Sequence, residues 1–261
     1  MLTAARFLFL ALRAALLLAL DIISPPTCAA CDAAVSRRRV FCPSCALTVV
    51  ELEENGDHRG DELAARGAVR PPDPPPVIAF AAFGGAIAVA LRRLKFTGRP
   101  DLGRPLGHLA RSAVRSADLC ADVVIPVPLH ARRLAERGYN QAALIGRAVA
   151  AELRVPLAAR ALVRVRSTAR QATLDRADRF ENVREAFRVR DAAAVQGRRV
   201  ALVDDVLTTG ATMDACALAL LDAGAVSVTA VVVARAGADD TDREPITDEP
   251  EPAAHRAQAR A

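Results

Sequence analysis

Continuously apolar runs that alternate with amphipathic stretches place the strongest constraint on the fold of this chain. The apolar runs are rich in valine and lie at 122–128, 198–206 and 226–234, and the amphipathic stretches lie at 141–153 and 212–224. Strands that are apolar at every position are buried on both faces, as in a parallel sheet covered by helices. The alternation therefore predicts an α/β fold with a mostly parallel sheet flanked by helices. In such sheets ligands bind beyond the carboxyl ends of the strands.

Two segments of unusual composition divide the 261-residue chain. The sequence PPDPPP at 71–76 predicts a stiff spacer between an N-terminal part, residues 1–70, and a main domain, residues 77–235. Residues 236–261 are acidic, proline-rich and poor in apolar side chains, which predicts a disordered tail. Because 52% of the residues are hydrophobic and no uncharged apolar run reaches 18 residues, collagen-like, wholly disordered and polytopic membrane proteins are excluded.

The apolar stretch FLFLALRAALLLAL at 7–20 has three interpretations: a secretory signal, a membrane anchor or a packed helix. Arg13 interrupts the run, and Arg6 lies seven residues before it on the same helical stripe, where both can face solvent. No convincing small-residue cleavage site follows. We favour a packed helix in a cytoplasmic protein without a stable membrane span, and export remains the alternative.

Four cysteines form two C-x2-C pairs separated by ten residues: Cys28, Cys31, Cys42 and Cys45. Two such pairs can surround one Zn²⁺ tetrahedrally, and a full set of four thiolates leaves no open position for hydrolytic chemistry. Disulfides are the alternative, but they depend on export to an oxidising compartment. The spacing predicts a small N-terminal module built on structural zinc.

The string RVALVDDVLTTGATMDA at 199–215 combines the features of a binding site for a phosphorylated sugar. We expect the apolar strand Val200–Val203 to end at Asp204 and Asp205, whose carboxylates can accept hydrogen bonds from vicinal hydroxyls. Gly210 permits a close backbone approach, so that amide groups at the start of a helix can hold a phosphate. Threonine hydroxyls add donors. The alternative is an ordinary strand-to-helix turn with threonine caps.

Two further segments are rich in arginine. HARRLAERGYNQ follows a strand that ends in Pro126-Val127-Pro128, and guanidinium groups there can clamp phosphoryl oxygens. The stretch from Arg164 to Phe187 has little apolar content, which suits a loop that closes over a diphosphate. Each segment has a structural alternative, a solvated helix start for the first and a polar surface connection for the second.

Five strings together resemble the ComF family of phosphoribosyltransferase-like competence proteins. They are CAAC with FCPSC, LRRLKFTGRPDLG, VIPVPLHARRLAERGYNQAALIGRAV, RVRSTARQATLDRADRFENVREAF and the string at 199–215, and they run from residue 28 to about 235. The last string resembles the loop of type I phosphoribosyltransferases that binds 5-phosphoribosyl 1-pyrophosphate (PRPP).

The resemblance implies a type I phosphoribosyltransferase-like fold and a site that binds PRPP with Mg²⁺ and transfers the phosphoribosyl group to, or releases it from, a nitrogenous base. The implied PRPP-binding residues are Asp204, Asp205, Thr208, Thr209, Gly210, Ala211 and Thr212. Those implied on the pyrophosphate side are Lys95, Arg132, Arg133, Arg137 and Asn140. Catalytic roles fall on the two aspartates and on Arg164 and Arg166 in the flexible loop. The alternative for Lys95 is one face of a surface helix with Arg92 and Arg93.

Net charge keeps a second function open. The tail from residue 236 holds seven acidic residues against three arginines, so a whole-chain charge of +5 leaves +9 for the rest. This excess, and the link of the ComF family to DNA uptake, suit a non-catalytic accessory that binds PRPP or a nucleotide and contacts single-stranded DNA or a DNA-uptake protein. One tyrosine and no tryptophan argue against base stacking. The acceptor base has no signature in residues 77–120, where we expect a hood over the base.

Overall fold

A parallel four-stranded sheet forms the centre of the computed structural model, which describes residues 25–52, 74–166 and 186–237. The strands are β1 (Val77–Ala82), β2 (Val123–Pro126), β3 (Leu162–Arg164), β4 (Phe187–Val189), β5 (Arg199–Leu207) and β6 (Ser227–Arg235). The sheet has the order β1-β6-β5-β2, and every neighbouring pair is parallel. The predicted α/β fold is confirmed.

The helices of the described residues are α1 (Pro43–Ala46), α2 (Gly85–Phe96), α3 (Gly103–Ser116), α4 (Ala131–Arg137), α5 (Gln141–Leu153) and α6 (Ala211–Asp222), with 3₁₀ turns at Pro100–Leu102 and Ala192–Ala194. Helix α5 has the bounds that its amphipathic pattern predicts. β5 and β6 begin and end one residue later than the valine-rich runs indicated.

The apolar core lies in two layers, one on each face of the sheet. Along β5, Ala201 and Val203 pack with α2, α3 and α5, whereas Val200 and Leu202 pack with α6. This division follows from the alternation of side chains along a strand. Helices α3 and α5 approach closely at Gly103, where a Cβ atom would lie 2.6 Å from the Leu144 Cβ.

The described part of the cysteine segment packs directly on the sheet domain. Cys28, Ala29, Phe41 and Cys42 belong to the same buried cluster as α2 and α3. The chain after α1 runs beside β1, where the Leu52 amide donates to the Phe80 carbonyl at 3.0 Å and the Ala82 amide donates to the Val50 carbonyl at 2.8 Å. The cysteine segment therefore shares the hydrophobic core of the larger domain.

Residues 77–120 do not form a separate hood. β1 and α3 belong to the sheet and its helical layer, and α2 contacts the 3₁₀ turn Pro100–Leu102 and the cysteine segment. The expectation of a hood is wrong for Val77–Ala82, because this segment pairs with β6 as a strand of the central sheet.

Several predicted segments lie outside the described residues: the apolar stretch at 7–20, residues 71–73 of the spacer, most of the loop after Arg166 and the tail from 238. The end of the spacer leads into β1, with the Pro76 carbonyl accepting from the Ala230 amide at 2.8 Å. Among the residues that the structure describes, no helix is long and apolar enough to span a membrane.

Candidate functional site

Asp204 and Asp205 lie within β5, and the strand continues past them to Leu207. The prediction that the strand ends at these acids is wrong, because β5 stays paired with β6 as far as Leu207 opposite Arg235. Consecutive residues of a strand point to opposite faces. Asp205 therefore shares a face with Val203, and Asp204 lies on the face that packs with α6.

Asp205 is 1% exposed and forms a buried ion pair with Lys95 of α2. The Lys95 Nζ lies 2.9 Å from Asp205 Oδ2, and only 14% of the lysine side chain is exposed. Within the described part of the chain, Oδ2 accepts no hydrogen bond of good geometry despite this short separation. The Lys95 ammonium is the cation that compensates this buried carboxylate. The structure also shows that Lys95 is not a solvated residue of a surface helix.

Asp204 differs from its neighbour in its electrostatic environment. Desolvation raises the pKa of its carboxyl well above the usual value, the charge of Asp205 adds to the increase, and Lys95 acts in the opposite direction. Its Oδ1 accepts a hydrogen bond from the Asp205 amide at 2.8 Å. A divalent cation near the two carboxylates would favour the ionised form of Asp204.

The loop between β5 and α6 turns through Gly210 into the first turn of the helix. Gly210 is buried, has a φ of 81° and is the N-cap residue of α6. No side chain from the described ranges makes a capping hydrogen bond to this helix end. Thr208 and Thr209 are exposed just before it. Amide groups at a helix N-terminus attract anions, and binding of a phosphate by this loop stays a prediction.

The arginine-rich segment after β2 forms α4 and the turn into α5. Arg132 is largely exposed and pairs with Glu136 at 2.8 Å along the helix surface, and Arg133 is exposed on the same helix. The side chain of Asn140 spans the turn, since its Nδ2 donates to the Val127 carbonyl at 3.0 Å and its Oδ1 accepts from the Ala142 amide at 2.9 Å. Asn140 therefore shapes this segment, and its predicted contact with pyrophosphate stays a prediction.

The last residues of α2, next to Lys95, contact the turn between α4 and α5. Tyr139 donates a hydrogen bond through its hydroxyl to the Leu94 carbonyl at 2.5 Å. The Arg137 guanidinium lies 5.8 Å from the centroid of the Phe96 ring and donates to Gln141 Oε1 at 2.6 Å. The sequence analysis did not predict that Tyr139 contacts the end of α2, although Tyr139 is the single tyrosine of the chain.

Arg164 lies at the end of β3, where the arginine-rich loop begins. Its backbone forms an isolated parallel β-bridge with that of His130, and its guanidinium lies 5.4 Å from the centroid of the Phe187 ring. Burial and the charge of Asp204 raise the pKa of the Cys216 thiol well above its usual value, although Arg164 acts in the opposite direction. Both charged groups therefore act on the α6 face of the sheet. Arg166 follows, with its carbonyl accepting from Arg164 Nε at 3.3 Å.

The four cysteines come together as their spacing predicts, with all four sulfur atoms within 4.8 Å of one another. The Sγ atoms of Cys31 and Cys42 are 3.6 Å apart, close to the roughly 3.8 Å that tetrahedral ligation with Zn–S bonds of about 2.3 Å requires. Desolvation of Cys28 is outweighed by the amide groups of Cys42, Cys31 and Ala30, which lower its pKa to about 6. This donor set fits a structural metal ion.

Comparisons with known proteins agree with this geometry. Residues 100–249 match the phosphoribosyl transferase domain family. The protein named DNA utilization protein YhgH of Salmonella typhimurium is 32% identical over 206 residues, which cover 77% of this chain and 86% of the relative. The protein of the same name from Escherichia coli K12 is 30% identical over the same shares. Competence protein F of Haemophilus influenzae is 36% identical over 49% of this chain and 58% of its own length.

Two solved structures are also similar. One is described as the allosteric regulatory enzyme of purine biosynthesis, with a TM-score of 0.39 and 21% identity over 54% of this chain and 29% of that one. The other is the glutamine PRPP amidotransferase of B. subtilis with ADP and GMP, with a TM-score of 0.40 and 22% identity over 53% of this chain and 30% of that one.

Proposed function

The chain belongs to the ComF family of the phosphoribosyltransferase superfamily, and from this premise we propose that it binds PRPP with Mg²⁺ and transfers the phosphoribosyl group to or from a nitrogenous base. The observation that carries the proposal is the position of two buried or half-buried acids on β5 just before the left-handed turn at Gly210 that begins α6. The acids suit the sugar and its cation, and the loop at the start of α6 suits the terminal phosphate.

The 5-phosphate is proposed to sit in the loop Thr208–Thr212. Gly210 has a left-handed backbone that suits a nest of amides around an anion, the threonine hydroxyls offer donors, and the dipole of α6 is positive at this end. The half-buried Asp204 is then proposed to accept hydrogen bonds from the ribose hydroxyls, whereas Asp205, on the opposite face of β5, holds Lys95 beside the site.

Mg²⁺ is proposed to bind together with the substrate, through ribose hydroxyl and pyrophosphate oxygens and water, because Mg²⁺ prefers oxygen ligands. The half-buried Asp204 carboxylate is a protein ligand available to it. When bound with substrate, this ion neutralises diphosphate charge. As the glycosidic bond to pyrophosphate lengthens, negative charge grows on the leaving group, and Lys95, Arg137 and Arg164 are proposed to stabilise it. Arg132, Arg133 and Arg166, which are exposed, are proposed to add further positive charge on the pyrophosphate side.

We also propose Zn²⁺ as the ion held by the four cysteines, since four sulfur atoms in a closed set match structural zinc sites. The ion stabilises the short segment that packs on α2 and leaves no coordination position for a substrate. A set of four reduced thiols is typical of a reducing compartment, so we propose a cytoplasmic location.

Calorimetric titration of PRPP in the presence of Mg²⁺ tests the binding site. Replacing both acids, Asp204→Asn with Asp205→Asn, should abolish binding. Asp118→Asn is the matched control, because Asp118 is exposed and its φ of 48° suits asparagine. Unchanged affinity in the double variant contradicts the assignment. Incubation with PRPP and a panel of nucleobases then identifies the acceptor through base-dependent release of pyrophosphate.

A stripe of basic residues on α3 favours the second candidate, an accessory that contacts single-stranded DNA. Arg104, Arg111 and Arg115 recur at helical spacing, and Glu152 pairs with the last two, so the three arginines outnumber this acid. Burial lowers the pKa of His108 between them, which favours its neutral form. Contacts with phosphates predict a steep loss of DNA affinity with salt. A salt titration with a single-stranded oligonucleotide therefore separates this candidate, which requires steep salt dependence, from a transferase with no affinity for DNA.

A further inference from the structure

Helix α2 is attached at its first turn to the cysteine segment. The Ala86 amide donates to Thr48 Oγ1 at 2.9 Å, and the same hydroxyl donates to the Cys45 carbonyl at 2.8 Å. Gly85 has a φ of 47°, and a Cβ atom there would lie 2.4 Å from the Thr48 carbonyl oxygen. The start of α2 is thus fitted against residues that directly follow the fourth cysteine.

The last turns of α2 are attached to the first cysteine pair through Arg93. Its Nη1 donates to the carbonyls of Ala29 and Ala30 at 3.2 and 3.1 Å, and its Nη2 lies 2.5 Å from Asp32 Oδ2. Ala29 and Ala30 are the two residues between Cys28 and Cys31. One guanidinium group therefore binds three oxygens whose positions depend on the fold of the metal segment.

The same end of α2 carries the site contact. Lys95 follows Arg93 by two residues, so the two side chains leave the helix on different sides, one toward the cysteine pair and the other toward Asp205. A helical turn is stiff, since each residue is held by backbone hydrogen bonds. A displacement at Arg93 is therefore transmitted to the ammonium group of Lys95.

Resting on the proposed function, we propose that Arg93 is a positioning residue that couples the four-cysteine module to the PRPP site through Lys95. With the module folded around its ion, Arg93 holds the end of α2 so that Lys95 reaches Asp205. When the module loses its ion, the carbonyls of Ala29 and Ala30 no longer hold Arg93, and the site loses affinity for its ligand. The cysteine module thus regulates substrate binding without contacting substrate.

The first test compares neighbouring arginines on α2. Arg93→Ala should weaken binding of PRPP with Mg²⁺ about tenfold in calorimetry, which corresponds to about 1.4 kcal/mol. Its zinc content should stay at one ion per chain, because no cysteine is changed. Arg92→Ala is the control, since Arg92 is exposed on the same helix, and it should bind as the wild type does. Equal affinity for Arg93→Ala and wild type overturns the proposal.

A double-mutant cycle tests the route through Lys95. If Arg93 acts through Lys95, Arg93→Ala has no further effect on affinity once Lys95→Ala is present. Removal of zinc by a chelator should likewise weaken binding in the wild type more than in Lys95→Ala. Losses that add in the double variant show that Arg93 acts by another route and refute the coupling.

A second variant and a ligand-free measurement keep the test decisive. If Arg93→Ala does not fold, Asp32→Asn replaces it, because Asp32 has a φ of 62° that suits asparagine and the substitution removes the charge that pairs with Arg93 and Arg99. We expect about threefold weaker binding, and no change overturns the coupling. If wild type binds no PRPP, the proposed function fails. Hydrogen exchange at residues 94–97 then still tests the coupling, which requires faster exchange in Arg93→Ala than in Arg92→Ala.

Discussion

Replacing Lys95 by methionine tests the buried ion pair at the centre of the candidate site. At 2.9 Å and an effective dielectric constant of about 20, the two unit charges attract by about 6 kcal/mol. Burial of the ammonium group offsets part of this attraction, but removal of the lysine leaves the buried Asp205 carboxylate uncompensated. We therefore expect Lys95→Met to lower the free energy of unfolding by about 3 kcal/mol at pH 7.

Thermal and urea unfolding without Mg²⁺ or PRPP measure this loss, which should lower the melting temperature by about 6–12 °C. Arg92→Met is the control, because it removes an exposed positive charge from the same helix. Adding Asp205→Asn to Lys95→Met should restore most of the stability, since the unpaired charge is then gone. If Lys95→Met is as stable as the wild type, or if Asp205→Asn brings no recovery, the ion pair does not stabilise the fold as argued.

Four shorter predictions concern other parts of the molecule. Because the fold raises the pKa of Asp204, binding of Mg²⁺ with PRPP should release a proton and strengthen as pH rises, and calorimetry in buffers of different ionisation enthalpy should reveal the release. Arg115 lowers the pKa of Glu152 to about 2, so its stabilisation is full above the unfolded value of about 4.3 and disappears as pH falls through 2. Glu152→Gln should therefore lower the melting temperature by about 2–4 °C at pH 7, with no difference near pH 2. Gly210→Ala should cost about 1–2 kcal/mol of stability at its φ of 81° and weaken PRPP binding about tenfold, whereas wild-type affinity would contradict the phosphate loop. Cys42→Ala should lose bound zinc by elemental analysis, and a retained ion would place the metal elsewhere.

Local patterns were sufficient where one short segment contains all the information. β5 and β6 follow from valine-rich runs, because a strand buried on both faces is apolar at nearly every position. α5 follows from an amphipathic stretch, because a helix buried on one face has apolar residues at helical spacing. The cysteine cluster and the loop at Gly210 were also predictable. Each depends on residues close in sequence whose spacing already limits their geometry.

Errors arose where pairing between strands decides the outcome. The acids of β5 were expected just past the strand, but hydrogen bonding to β6 extends the strand to Leu207 and turns the two carboxylates to opposite faces. β1 was not singled out as a strand. Its six residues include three alanines, a composition that helices share, and its pairing with β6 makes it a strand.

The sequence by itself determined β5, β6 and α5, the grouping of the four cysteines and the glycine turn after β5, because each depends on a few consecutive residues. Only the tertiary structure decided which charges meet. Lys95 reaches Asp205, Arg93 reaches the carbonyls beside Cys28, and Tyr139 reaches the end of α2. These contacts join segments far apart in the chain, and their partners are selected by the packing of helices around the sheet, which no local pattern records.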